Sequence, residues 1–456
     1  MGKLFKQFDL NSIMKRNSSA LSISLFIVIL SLVYSVQNMI SPNLEIISNF
    51  FGFGGITAQL GVLTSTFTIL SGISIVVFGY LADKFTRKWI VLFGSLFYSI
   101  FSILTIIVSP NTSGYYLFFT FTSLNGIGFG AIIPSIFSII GDLVSRENRS
   151  KGFSLFSVAS LFGMALGLII ATIAGPVDWK ISYLIVGILG SVNTIFILFF
   201  KEPSRAGKEA IVLSDKDAIE YSYRIKKSDL KVIFKKKSNV WLIVNFVDTI
   251  PTGIILFLIF YYMNDYHNVP EDISLIFLGT ILLSTLIGTL IFGYFGDILY
   301  KKGNKRARAL LALIGNIIPI PLLSIALIIP FTAPTNISIG ELFSIPAALL
   351  MLILMMLGMF FNGAVNGNWY ANIVDLNLPE HRGTTLATAN FFDIIGRSLG
   401  PLIGAFVRDA LGSVFGIMTS IFAWIFIPFF WIPVIKNIIP EMEATEKIFS
   451  ERLVIS

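Results

Sequence analysis

Three ionisable side chains fall where an apolar helix should carry none: Asp248 in the run 239–264, and Asp393 and Arg397 in the run 385–408. Each would cost about 2.5–3.5 kcal/mol at the middle of a membrane-spanning helix, so each needs a partner or a function. Asp393 and Arg397 are four positions apart, hence on one helix face, with the acid N-terminal to the cation. At about 1.5 Å per residue, Asp248 lies about 13 Å along its run from Asn239, and Arg397 about 18 Å along its run from Thr385. The depths are compatible with contact. Such a set suits one chemistry: the guanidinium binds an anionic group of a solute while Asp393 or Asp248 competes for it, directly or by taking up a proton. A structural ion pair fixing the two helices would use the same residues.

A second polar group lies in the run 346–375, where Asn362, Asn366 and Trp369 or Tyr370 fall on one helix face. With Asn245 and Thr249 they would make a polar wall with a stacking surface, or else supply packing hydrogen bonds between helices. Gln37 and Asn38 close the first apolar run, as candidates for lining a cavity or as its interfacial end.

The elements that must position these residues follow from composition. Of 456 residues, 55% are hydrophobic and only 13% charged, more apolar surface than one water-soluble core can hide. Twelve stretches reach the length of about 20 residues that a bilayer crossing needs: 18–40, 58–81, 89–108, 114–141, 151–174, 178–200, 239–264, 273–297, 309–330, 346–375, 385–408 and 412–436, numbered here as spans 1 to 12. The net charge of +7 points to nucleic acid only in a soluble chain, and here its placement carries the information. Thirty of the 33 Lys and Arg fall on the termini and the even-to-odd loops, 11 of them in the linker 201–238, which puts both termini in the cytoplasm of a cell membrane. The segment before span 1 lacks a small-residue cleavage site, so span 1 reads as a retained helix. The linker is expected to bind anionic lipid, with Ile219, Tyr223, Leu230, Ile233 and Phe234 at helical spacing for an interfacial helix. With no cysteine and two histidines the chain has no disulfide and no His/Cys metal set, and no Gly-rich Lys-Ser/Thr phosphate loop occurs, so neither metal nor cofactor is expected.

The chain repeats itself. Gly79-Tyr80-Leu81-Ala82-Asp83-Lys84-Phe85-Thr86-Arg87-Lys88 returns 214 residues later as Gly293-Tyr294-Phe295-Gly296-Asp297-Ile298-Leu299-Tyr300-Lys301-Lys302. The end of span 4 returns 233 residues later, matching Asp142 to Asp375 and Arg149 to Arg382. At that same offset, Gly163 and Gly167 of span 5 match Gly396 and Gly400 of span 11, where Pro401 and Gly404 follow. Small residues four apart clear a stripe for a neighbouring helix, and the proline adds a bend point. Gly79 is expected to bring span 2 close to a neighbour. Two copies of six imply an all-helical membrane fold of twelve spans, as two six-helix bundles in parallel repeat: 1–200, the linker 201–238, and 239–456.

The run from Gly79 to Lys88 resembles the loop signature of the major facilitator superfamily: glycine, three residues, aspartate, a cation, then two more cations. The resemblance implies that Asp83 holds the start of span 11, that Arg87 pairs with an acid ending span 4, here Asp142, and that Lys88, Asp297, Asp375 and Arg382 belong to the same conformational switches. It also implies rocking between inward-open and outward-open states. Lactose-permease-like members pair a span 7 acid with a span 11 cation, as Asp248 and Arg397 would. Glu202-Pro203-Ser204-Arg205-Ala206-Gly207 and Asp83 to Lys88 resemble runs of the spinster-like lipid transporters. That family's charged residues of spans 1 and 4 fall here at Gln37, Asn38, Thr122 and Phe129, so the resemblance does not extend to its proton-coupling residues. The expected function is secondary transport of a small amphipathic or anionic, even lipid-like, solute, with a coupling proton as a further partner and nucleic acid as none. A proton-coupled carrier or exporter of organic acids or drugs, and a ligand sensor that moves nothing, are the alternatives; no nucleophile–base pair marks an enzyme.

Overall fold

A computed structural model describes residues 10–55, 57–143, 149–200, 202 and 229–455, without the side chains of 10–23, 83–84, 140–143, 149–158, 379–380, 382–383, 387 and 452–455. Asp83, Asp142 and Arg382 are therefore placed as backbone only, and most of the linker, Ile219 and Tyr223 included, lies outside the described residues. All regular structure among the described residues is helical, the form that satisfies backbone polar groups within one segment where no water reaches. Ten helical stretches are long and apolar enough to cross a membrane. One of them, Ala159–Phe199, is 41 residues long and holds two crossings. Pro379–Leu411 adds another, charged at Asp393, Arg397, Arg408 and Asp409, and the total is twelve.

The chain divides into two compact units: one of the described residues up to Phe53 and from Ile69 to Glu202, the other of Gly54–Thr68 and the described residues from Asp229 onward. The first unit contains α1 (Leu10–Gln37), α2 (Leu44–Phe50), α3 (Ala58–Lys84) from Ile69 on, α4 (Arg87–Leu104), α5 (Thr112–Leu143) and α6 (Arg149–Phe199). Spans 5 and 6 run together as α6 and part at Asp178, whose φ of −162° and ψ of 116° follow Pro176. The Asp178 carboxylate then accepts the Lys180 N–H at 3.0 Å and caps the start of span 6. Gly163 and Gly167 lie against the backbone of Ser31 and Ser35 on α1, where any side chain would collide.

The second unit holds α7 (Asp229–Lys235), α8 (Lys237–Val244), a 3₁₀ turn at Asn245–Asp248, α9 (Thr249–His267), α10 (Glu271–Lys301), α11 (Ala307–Ile317), α12 (Pro319–Ala326), α13 (Ile339–Ser344), α14 (Pro346–Asn362), α15 (Ala364–Leu376), α16 (Pro379–Leu411) and α17 (Ser413–Ile455). Span 7 is thus broken in two. Pro251 has no N–H for the carbonyl four residues back, that of Val247, and the helix tightens there. Gly396 lies against the Phe246 carbonyl, and a methyl on Gly400 would sit 2.7 Å from Gly253. The glycine stripe of α16 therefore packs on α8–α9 as that of α6 packs on α1.

Two expectations are corrected. Gly79 makes no close approach: a methyl there would touch Pro134 at an ordinary 3.7 Å, and Gly293 faces open space. Span 12 does not stop near 436 but continues as helix to Ile455, because its tail is tied down: Thr445 Oγ1 donates to the Leu376 carbonyl at 3.0 Å, and Glu446 meets Lys305 at 2.8 Å. In α7, Ile233 is buried while Leu230 and Phe234 are exposed.

Candidate functional site

The break in span 7 and the glycine stripe of α16 bring Asp248, Asp393 and Arg397 to one region of the second unit. Thr249 Oγ1 lies 2.8 Å from the Phe246 carbonyl and 2.9 Å from that of Asp393, tying the 3₁₀ turn to α16. Asp248, the last residue of that turn, is partly buried and accepts a 3.0 Å hydrogen bond from Trp424 Nε1 of α17. It lies within electrostatic reach of Asp393. Arg397 is 48% exposed, and its one ion pair among the described residues is with Asp393, at 3.4 Å. The expected pairing of Asp248 with Arg397 is thus replaced by an indole on one side and an in-helix carboxylate on the other. Trp424 was not singled out in the sequence; one buried tryptophan among several apolar spans gives no signal of its partner.

Span 10 splits its polar residues between two faces. Asn366 and Tyr370 are exposed, and Tyr370 Oη donates to Asn390 Oδ1 at 2.8 Å, one turn before Asp393 on α16. Tyr370 is within electrostatic reach of both Asp393 and Arg397. Trp369, expected as a stacking surface, turns inward and donates from Nε1 to the Leu242 carbonyl at 2.8 Å, just ahead of the 3₁₀ turn. Asn245 is buried with its Oδ1 unpartnered, and Asn362 is half-buried at the end of α14. Gln37 and Asn38 belong to the first unit, where Asn38 Nδ2 donates back to the Tyr34 carbonyl at 2.9 Å.

Each unit carries a charged cluster at its basic-loop end. In the first, Arg87 is 2% exposed and Glu202 receives its Nε at 2.8 Å, the Arg87 backbone N–H at 3.2 Å and that of Lys88 at 3.1 Å. Arg87 Nη1 also donates to Ser138 Oγ at 2.9 Å, and Lys88 Nζ to the Leu198 carbonyl at 2.7 Å. Glu202 thus neutralises a buried guanidinium and caps α4. Burial pushes its carboxyl up, but the Arg87 hydrogen bond, the two backbone N–H groups and the Arg87 charge outweigh that and hold it below the usual range. In the second unit, Arg308 bridges Asp297, at 2.5 Å, and Asp375, and lies 4.2 Å over the Tyr300 ring. Sequence reading named both acids but missed the arginine, because the loop after Lys302 is longer than its counterpart and displaces it from the repeat offset.

A third cluster joins α3 to α16 within the second unit. Asp409 accepts the backbone N–H of Thr57 at 2.9 Å and of Ala58 at 2.6 Å, and the Thr57 hydroxyl at 3.0 Å. Arg408 pairs with Asp409 at 2.8 Å, donates to the Gly55 carbonyl and lies 3.8 Å over the Tyr261 ring.

A family model described as Major Facilitator Superfamily matches residues 25–349. The chain is similar to spinster homolog 1 of Xenopus tropicalis, 30% identical over 269 residues, which is 55% of this chain and 49% of that protein. It is similar to the sphingosine-1-phosphate transporter SPNS2 of Danio rerio, 30% identical over 158 residues, covering 33% of this chain and 30% of that protein. The chain thus spans about half or less of the length of these curated relatives. Among solved structures, a bacterial homolog of the human lysosomal transporter spinster, in an inward-facing and unoccupied conformation, superposes with a TM-score of 0.76 at 14% identity, over 93% of this chain and 98% of that one. At that identity the likeness is one of fold.

Proposed function

The chain belongs to the major facilitator superfamily, and from that premise we propose that it is a secondary transporter moving a small, amphipathic, anionic organic solute by alternating access. One observation carries the solute class: Arg397 is 48% exposed and held by a single long ion pair of 3.4 Å among the described residues. A guanidinium in a mostly apolar helix is costly, and one left this loosely partnered is free to take a carboxylate, phosphate or sulfate in bidentate fashion. When the solute's anion arrives, Asp393 is the group it displaces. Tyr370 and Asn366, exposed on the neighbouring helix, supply a ring face and an amide for the rest of the polar head. A relative named for sphingosine-1-phosphate transport handles, by that name, a phosphorylated amphiphile, which supports the same class here. The charge pattern supports a multi-pass protein of the cell membrane with both termini in the cytoplasm, and the 11 cations of the linker support contact with anionic lipid.

Proton coupling is a second reading, favoured by Asp248, whose hydrogen bond comes from an indole and not from a cation. Solute-driven pH changes in lightly buffered vesicles would reveal it.

A thermal-shift screen of the purified protein against lysolipids, fatty acids, organic anions and neutral sugars tests the solute class. Anionic amphiphiles are expected to raise the midpoint at concentrations where neutral sugars leave it unmoved; stabilisation by neutral sugars alone would overturn the assignment. Binding without vesicle uptake would mark a sensor instead of a transporter.

A further inference from the structure

The start of α3 is fastened to α16 by a cluster of polar contacts. The turn before it is built on Gly52, Gly54 and Gly55, with φ of 77°, 60° and 83°, a conformation glycine adopts readily and other residues do not. It delivers the first N–H groups of α3 onto one carboxylate. Thr57 and Ala58 donate their backbone N–H groups to Asp409, and Thr57 adds its hydroxyl. A helix start has unpaired N–H groups and a partial positive charge, so an aspartate there satisfies both. Arg408 holds that aspartate from behind, with Arg408 and Asp409 only 12% and 14% exposed.

Beyond the cap the two helices touch again at Gly61 and Ser65. Gly61 faces Pro401 and Ala405, where a methyl would sit 2.7 Å from each, and Ser65 Oγ donates to the Ser398 carbonyl at 2.5 Å. Residues of α3 after Thr68 belong to the other unit. The contacts of this seam lie toward the end of α3 away from Lys84–Lys88, and the charged groups among them are Asp409, on Thr57 and Ala58, and Arg408, on the Gly55 carbonyl.

We propose that Asp409 is a latch: capping α3, it holds the Thr57–Ser65 stretch on α16, and its release frees that stretch during the transport cycle. The proposal rests on the reading of the chain as an alternating-access transporter, and its test does not need a known solute.

The chain has no cysteine, so a single introduced thiol reports on the seam alone. Ser65 is 4% exposed, and Ser65→Cys should react slowly with a water-soluble maleimide. Adding Asp409→Asn is expected to speed that reaction about tenfold or more, corresponding to a shift of about 1.4 kcal/mol in the closing equilibrium. Asp409→Glu, which keeps the charge but misplaces the carboxylate by a methylene, should speed it less and serves if the asparagine variant does not fold. Labelling unchanged within about twofold in a folded variant of either kind overturns the latch. Faster labelling in a protein that takes up none of the tested anionic amphiphiles would leave the hold of Asp409 on α3 standing and overturn the proposed solute class.

Discussion

Arg397→Ala lowers the uptake of an anionic amphiphile about 30-fold or more, the loss expected when a charge-assisted hydrogen bond worth about 2–3 kcal/mol disappears. The thermal midpoint stays within about 2 °C of the parent, because substitutions of loosely held, exposed side chains move stability by about 0.5 kcal/mol or less. Arg397 fits that description: it is 48% exposed and its ion pair is 3.4 Å long. Arg397→Lys keeps the charge and loses the planar fork, so its uptake falls between the two. Vesicle uptake and a melting curve on the same preparation check both halves. Full uptake by a folded alanine variant would reduce the residue to a structural partner of Asp393.

Glu202→Ala has the opposite signature, a large loss of stability. Arg87 is 2% exposed, and removing Glu202 takes one acid partner from a buried guanidinium and uncaps the start of α4; a lost charge-assisted hydrogen bond and a lost cap together cost about 2–4 kcal/mol. Glu202→Gln keeps one acceptor oxygen and is milder. The pH dependence follows from the lowered carboxyl of Glu202. A group whose folded value lies below its unfolded one contributes stability above the unfolded value, about 4.3 for glutamate, and loses it as the pH falls through the folded one. The gap in melting midpoint between the parent and the glutamine variant is therefore widest near neutral pH and narrows as the pH falls below about 4.3. A gap that stays constant from pH 7 to pH 3 would show that the Glu202 charge adds nothing.

The fold was legible because its signals are local. An apolar run of bilayer length announces a crossing wherever it occurs, and the repeated Gly-Tyr and Asp spacing of Gly79–Asp83 and Gly293–Asp297 marks the duplication. The break in span 7 and the bend that joins spans 5 and 6 were not read from the sequence, although Pro251 and Pro176 mark them. The pairings were less legible, since each depends on which helix faces which. Asp297 and Asp375 stood out, but Arg308 between them did not. Glu202 was visible only as part of a run resembling one in the spinster-like transporters, with nothing local to say that it reaches Arg87. Trp369 and Tyr370 are adjacent, so helical geometry had to turn them to different sides, and only packing decides which one goes inward. Asp409 sits at the end of a span beside Arg408, where the bland expectation is a solvated pair; its real partners, Thr57 and Ala58, lie some 350 positions away.

The central claim is that Asp393 and the solute's anion compete for one guanidinium. A binding titration of an anionic amphiphile against the parent and Asp393→Asn tests this most directly, since the substitution keeps the side chain's size and the Thr249 contact is to the Asp393 backbone. The account predicts about tenfold tighter binding by the asparagine variant, because the anion no longer has to displace a carboxylate from Arg397. Binding that is unchanged or weaker in a folded variant would contradict it.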